Sequence, residues 1–312
     1  MRVATVKLTS WRLIDGARDE QKGRRMVAGH GGDAGAGVGV AAGDDDKVVR
    51  SRIEGVDGVV TLSGIHNFRD VAGPGYRVAP SGSGSSGTMA RGIVFRSAAI
   101  SATDGDVGVI ESLGVTTIVD LRTESELSQQ PDVPIPGAEN VWVDILQGNS
   151  TAATLMNSGI VTVEEARSEM GRTYELFVVG NDERRAFGRA ITTVAASSGA
   201  SIVHCTAGKD RTGWTSAILQ LLAGVSEDDV VADYLLSQKN TQELTDAIMQ
   251  YVRVKMPHQA DAIEALLGVD EANIRLSLGA LHKEFGDIRR YLVEGAGVDS
   301  AAVEDLEARL RA

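Results

Sequence analysis

The stretch VHCTAGKDRTGWTSAILQLLAG (203–224) holds the only cysteine in a chain of 312 residues. Before it, ASIVH (200–204) is a short apolar run flanked by small residues and reads as a buried strand. After it, Trp214, Ile218, Leu221 and Leu222 recur at helical spacing, so a helix is expected from about Arg211. Cys205 therefore stands at a strand–loop–helix turn whose loop runs over 206–210. Loop amides and a helix N-terminus that converge on one point make an anion site. A thiol held there is expected to act as a thiolate nucleophile at neutral pH.

The loop residues fit phosphate chemistry. Arg211 lies six positions after the cysteine, where a guanidinium can grip two phosphate oxygens at once. It can also stabilise charge on the equatorial oxygens during phosphoryl transfer. Thr206, Ala207, Gly208 and Lys209 form the cradle, with Gly208 letting the backbone approach the phosphate without a Cβ in the way. Lys209 is expected to add positive charge at the loop rim, which favours a polyanionic head group. Thr212 offers a hydroxyl to the sulfur when it departs in the second half-reaction. An isolated cysteine beside a helix start is usually a buried structural residue. Here seven positions are specified together, which is too much pattern for that explanation. A Walker A loop is excluded, since Lys209 precedes Asp210 and no glycine stands five residues before Gly208.

Working outward, the chain before the cysteine alternates strands and helices. GVVTL (58–62) reads as a strand and 63–73 as turn-rich. YRVAP (76–80) and GIVFRS (92–97) read as two strands around the mobile hairpin loop SGSGSSG (81–87). A helix over about 104–113, stopped at Gly114, precedes the buried strand VTTIVDL (115–121). Thr123 with Glu126 opens a short helix as a capping box, and Thr162 with Glu165 opens another over about 163–178. VWVDI (141–145) is a strand, and a helix spans about 182–197. From 211 onward almost everything has helical period, broken at Gly224, Pro257, Gly268, Gly286 and 295–297. The expected fold is α/β: a central parallel-rich sheet flanked by helices, with an extended helical C-terminal part.

Residues 27–49 are mostly Gly, Ala, Val and Asp and cannot bury enough apolar surface to offset their ordering entropy. Residues 1–49 are thus expected to be a disordered tail, and 50–312 one catalytic domain. Gly37, Gly39 and Ala42 imitate a dinucleotide fingerprint but lack the strand and helix it needs. The aspartates at 44–46 read as a solvated charge run. A formal net charge of −12 argues against nucleic acid and anionic membrane as partners by bulk attraction. No run of 18 apolar residues is present, so membrane insertion is not expected. One cysteine allows no intrachain disulfide and suits a reducing compartment. With no secretory leader pattern at the N-terminus, a cytoplasmic location is the default, leaderless export aside.

The loop HCTAGKDRTG (204–213) resembles the signature of cysteine-dependent protein tyrosine phosphatases, in the form found in bacterial tyrosine and dual-specificity enzymes. Further matches occur at NFRDVA (67–72), FRS (95–97), DLR (120–122), VADYL (231–235) and EFGDIRRYL (284–292). The resemblance implies hydrolysis of phosphotyrosine, often of phosphoserine and phosphothreonine, and in some members of phosphoinositides. It implies a phosphocysteine intermediate and neither metal nor other cofactor. Arg69, Asp70, Asp120 and Arg122 are expected to form ion pairs bracing the sheet edge, and His204 to order the loop through hydrogen bonds. Tyr174 is a candidate to stack on an aryl substrate, with helix packing the plainer use.

The W-P-D acid loop of eukaryotic relatives is absent. Two carboxylates compete for the role of general acid. Asp210, inside the loop, is the one the resemblance implies; Asp144 ends the VWVDI stretch. Arg211 beside Asp210 favours the ionised carboxylate and counts against it, whereas desolvation and bound phosphate push the other way. Asp210 is preferred, giving a catalytic set of Cys205, Asp210 and Arg211. Two other functions are carried alongside: a rhodanese-like sulfurtransferase, and a catalytically silent module that binds phosphorylated ligands.

Overall fold

The computed structural model describes residues 62–79, 87–148 and 162–311. The expected tail over 1–49, nearly all of the 58–62 strand and the tip of the 81–87 loop lie outside the described residues. Within them the strands are β1 (Arg69–Asp70), β2 (Arg77–Val78), β3 (Gly87–Thr88), β4 (Val94–Ser97), β5 (Val115–Asp120), β6 (Glu139–Trp142) and β7 (Ala200–His204). Five of these make one sheet in the order β1-β4-β7-β5-β6, with β2 and β3 paired separately. The β1–β4 pair is antiparallel and the other three pairs are parallel.

β7 sits in the middle because it is buried along its whole length, which suits a parallel strand covered on both faces. Its residues alternate between two cores. Ile202 packs with Ile118, Phe95, Phe68 and Ile110 of α1 (Asp104–Ser112). Val203 packs with Val119 and the helices of the opposite face. The register levels Ser97, Asp120 and Trp142 with the end of β7: His204 pairs with both Ser97 and Asp120, and Asp120 pairs with Trp142. Cys205 thus emerges at the carboxyl edge of the sheet, where open α/β folds bind their ligands.

The remaining helices up to the signature turn are α2 (Glu124–Gln129), α3 (Val163–Val179), α4 (Asn181–Ala196) and α5 (Arg211–Ala223). The Thr123–Glu126 and Thr162–Glu165 capping boxes are both formed, and Thr103 with Asp106 makes a third at the start of α1. All of α5 except Leu221 is buried. Its apolar stripe is therefore not one face of a surface helix. Thr215 and Ser216 satisfy their hydroxyls on the carbonyls four residues back, which lets polar side chains sit inside.

After Gly224, which closes α5 at φ +91°, come α6 (Glu227–Asn240), α7 (Gln242–Lys255), a 3-10 turn (Pro257–Gln259), α8 (Ala260–Leu267) and α9 (Glu271–Glu284). A short α10 (Ile288–Arg290), a π-helical turn (Tyr291–Gly295) and α11 (Ser300–Leu310) complete the chain. The expected breaks occur. One more falls at Thr241, whose hydroxyl bonds back to the Ser237 carbonyl and ends α6 without glycine or proline. Among the described residues no helix is long and apolar enough to cross a membrane.

Two strand expectations need correction. The partner of Arg77–Val78 is Gly87–Thr88, while Val94–Ser97 enters the central sheet because it is buried throughout. The strand expected at 141–145 is Glu139–Trp142, leaving Asp144 beyond its end. An edge strand with one neighbour pairs only as far as that neighbour reaches, and β5 ends at Asp120.

Candidate active site

Cys205 is 2% exposed and directly follows β7. The loop after it folds back onto the end of β4. Gly208 adopts φ +67°, and a Cβ there would lie 2.3 Å from the Ser97 carbonyl oxygen. Its glycine is required by that left-handed turn and by packing against Ser97. The Gly208 carbonyl accepts from Asn67 Nδ2 at 2.7 Å and from Arg96 Nη2 at 2.9 Å. The Thr206 carbonyl accepts from the Ala99 amide. Ala207 is half-buried. The loop is thus pinned from outside.

Arg211 opens α5 with its guanidinium committed to Glu126 of α2. Nη1 donates to Oε2 and Nη2 to Oε1, each at 2.7 Å, and Nη1 also reaches the Leu121 carbonyl at 3.2 Å. Thr206 Oγ1 donates to the same carboxylate at 2.6 Å. Burial, the largest single influence, would raise the Glu126 carboxyl; the Arg211 charge and the Arg211, Thr206 and Thr123 hydrogen bonds together outweigh it and lower it to about 2. Burial likewise opposes the Arg211 charge, but Glu126 holds that group above its ordinary value. Glu126 is the site residue that the sequence disguised: its spacing from Thr123 announced a cap, which it also makes.

Lys209 is not at the rim. It is 4% exposed, and its Nζ donates to the carbonyls of Leu266 at 2.7 Å and Gly268 at 2.9 Å, where α8 ends. Asp210 Oδ2 lies 3.2 Å from the same Nζ. A buried ammonium needs acceptors, and the unpaired carbonyls at a helix end provide them. Its charge ties the loop to the C-terminal helices instead of facing solvent.

Asp210 occupies the N-cap position of α5 yet makes no side-chain cap bond. Its Oδ1 instead accepts from the Tyr174 hydroxyl at 2.7 Å. Asp144 Oδ1 accepts from the Leu146 amide at 2.9 Å and Oδ2 from the Gly148 amide at 2.8 Å, so both its oxygens close their own turn. The Thr212 hydroxyl is buried with no hydrogen-bond partner. Tyr174 is fully buried and presents no ring face for stacking; helix packing prevails.

The scattered motifs meet behind the loop. Arg69 of β1 and Arg96 of β4 both pair with Asp233 of α6, at 3.2 and 2.9 Å, and both reach Ser237 Oγ. Arg69 also donates to Asn67 Oδ1. Burial pushes the Arg96 guanidinium down to about 10, and neighbouring Arg69 adds to this. Asp70 does not join them. It accepts from the Ala72 and Gly92 amides, and its burial raises the carboxyl to about 6.

On the other side, Arg122 Nη2 lies 2.8 Å from both Asp120 and Asp132. His204 Nε2 is 3.1 Å from Asp132 Oδ2, and Nδ1 lies 3.4 Å from the Cys205 carbonyl oxygen. Asp120, Asp132 and His204 are near enough to one another to hold a metal ion, but Arg122 already supplies the cation between the two carboxylates. Arg96, Arg122 and Arg211 all lie within electrostatic reach of Cys205. In a chain of net charge −12, this is the local positive potential an anionic ligand needs.

Comparison with known proteins identifies a family and relatives for the chain. A model of the tyrosine phosphatase family matches residues 60–312. The triple specificity protein phosphatase PtpB of Mycobacterium tuberculosis is 28% identical over 276 residues, covering 78% of this chain and 95% of that one. A Cupriavidus necator protein carrying the provisional name of tyrosine-protein phosphatase is 31% identical, over 77% of this chain and 84% of its own. A tyrosine-protein phosphatase of Nostoc commune is 28% identical, over 81% and 88%.

Proposed function

The chain belongs to the tyrosine phosphatase family, and from that premise we propose that it hydrolyses phosphotyrosine proteins through a cysteinyl-phosphate on Cys205. It is a phosphoric monoester hydrolase of protein-tyrosine or dual-specificity type. The relatives give the sulfurtransferase alternative no support. In the proposed first step the Cys205 thiolate attacks phosphorus, the P–O bond to the substrate breaks, and the leaving oxygen takes a proton from Asp210. In the second, water attacks the phosphocysteine, Asp210 recovers a proton, and the departing thiolate accepts a hydrogen bond from Thr212. Arg211 and the loop amides of 206–210 hold the phosphoryl oxygens throughout.

What carries this reading is the Glu126–Arg211 fork closing a loop wound around a buried cysteine at the carboxyl edge of the sheet. The same geometry bears on substrate. With its ammonium fixed on the α8 carbonyls, Lys209 does not offer the rim charge that favoured a polyanionic head group. Phosphotyrosine in proteins is therefore the proposed substrate ahead of phosphoinositides. The experiment is Cys205→Ser, assayed on a phosphotyrosine peptide with phosphate or vanadate binding measured in parallel. Turnover should vanish while the oxyanion still binds, because the cradle is mostly backbone. Hydrolysis by this variant above contaminant level would overturn the covalent mechanism.

A further inference from the structure

Asp210 begins a helix without capping it, so something else must fix its side chain. Two contacts do. Lys209 Nζ lies 3.2 Å from Oδ2, and the Tyr174 hydroxyl donates to Oδ1 at 2.7 Å. Tyr174 comes from α3, is fully buried, and has its own hydroxyl 2.8 Å from that of Tyr234 on α6. No step of the proposed reaction uses it. A hydroxyl buried between a carboxylate and a second phenol, with its carbonyl also held by Ser277, is too well anchored to be a packing accident.

We propose that Tyr174 is a positioning residue for Asp210: by donating to Oδ1 it fixes the orientation of the carboxyl group and stabilises the carboxylate left behind when the proton departs. The inference rests on Asp210 being the general acid. Oδ1 accepts the Tyr174 hydrogen both before and after the transfer, so the contact survives the step and strengthens as negative charge appears on the carboxylate. Burial and the charge of Asp210 hold the Tyr174 phenol well above its ordinary value, so it remains a donor at every working pH. The other groups facing Asp210 are Lys209 and Arg211 on either side of it, while Tyr234 responds to Asp210, to Arg96 of β4 and to Asp270 between α8 and α9. Arg211 is held in its charged form by Glu126. Tyr174 is the neutral donor of the set, the one whose strength can be changed without changing charge.

Removing that donor disfavours the carboxylate. In Tyr174→Phe the basic limb of the pH–rate profile should move to higher pH by about one unit. Turnover of a phosphotyrosine peptide should fall by about tenfold, while an activated aryl phosphate changes little. In Tyr174→3-fluorotyrosine the donor is stronger and the limb should move to lower pH. This second variant keeps the hydroxyl and the fold, so it decides the matter even where the Phe variant does not fold. Opposite movements of the limb, or the movement with fluorotyrosine alone, support the assignment. A purely structural role moves the melting temperature and leaves both limbs in place, and that result would overturn it. Asp210→Asn is run beside them. If it lacks the leaving-group dependence of a lost acid, the reading of Asp210 has failed. If it shows that dependence while neither Tyr174 variant moves the limb, Asp210 stands and the role of Tyr174 falls.

Discussion

Glu126 and Arg211 close a two-pronged ion pair across the mouth of the loop, with both N–O distances at 2.7 Å. The pair fixes the plane of the guanidinium before any ligand arrives, so the entropy of ordering a long side chain is not charged to substrate binding. α2 provides the carboxylate and α5 the guanidinium, which makes the geometry of the proposed site dependent on how two separate helices pack.

That dependence has a pH signature. The Glu126 carboxyl lies at about 2 in the folded protein against an ordinary 4.5. Its contribution to stability is fully present above about pH 4.5 and lost as pH falls toward 2, about 3 kcal/mol in all. Glu126→Gln should remove that part of the acid dependence, measured as unfolding free energy between pH 5 and 2. At neutral pH it should also lower kcat/KM by about one to two orders of magnitude, because the fork is no longer held in register. An unchanged acid limb of stability would show that the pair is not formed in solution.

Gly208→Ala tests the turn. The left-handed φ and the 2.3 Å approach to the Ser97 carbonyl leave no room for a methyl group. The contact atom is backbone, so the loop itself must shift. Phosphate affinity and turnover should both collapse, with a stability loss of about 1–3 kcal/mol by thermal melting. A variant that melts and binds oxyanion like the parent would contradict the described loop.

Lys209→Met tests the buried tether. Methionine keeps the apolar stem but abandons the carbonyls of Leu266 and Gly268 and one partner of Asp210. Stability should fall by about 1–3 kcal/mol. The ratio of activity on phosphotyrosine peptide to that on a phosphoinositide should stay level, since the ammonium does not face the substrate. A selective loss of phosphoinositide hydrolysis would return Lys209 to the rim.

The sequence carried the architecture well where the signal was local. Strands such as 115–121 and 200–204 are short stretches rich in apolar and β-branched residues, and the Thr123 and Thr162 caps are four-residue patterns. It carried the site less completely, because several partners are distant in the chain. Glu126 is 85 residues from Arg211, Asp233 is 137 from Arg96, and the α8 carbonyls that accept from Lys209 lie more than 50 residues away. A carboxylate's helix-capping role is legible from its spacing; its second role toward a remote arginine is not. The burial of Lys209 is hidden for the same reason, since a lysine in a polar loop looks exposed until the helix end that buries it is known. Of the residues expected in ion pairs, Arg69 pairs with Asp233, while the hydrogen bonds of Asp70 go to backbone amides with the Arg91 charge nearby.

The competition between Asp210 and Asp144 gives the sharpest test of the mechanism. Both Asp144 oxygens accept backbone amides of its own turn, whereas Asp210 forgoes the cap it is placed to make and keeps its carboxyl beside the cysteine loop. A general acid matters most when the leaving group is poor and least when the leaving phenol is already acidic. Asp210→Asn should therefore slow a phosphotyrosine peptide by about 10²–10⁴-fold and an activated aryl phosphate far less, while flattening the basic limb of the profile. Asn is close in size, so the loop keeps its shape and a folding defect would not discriminate between the two esters. Asp144→Asn should weaken its turn and cost both esters alike, by a few-fold at most. If the leaving-group dependence appears in the Asp144 variant instead, the proton comes from the loop after β6 and not from the loop after β7.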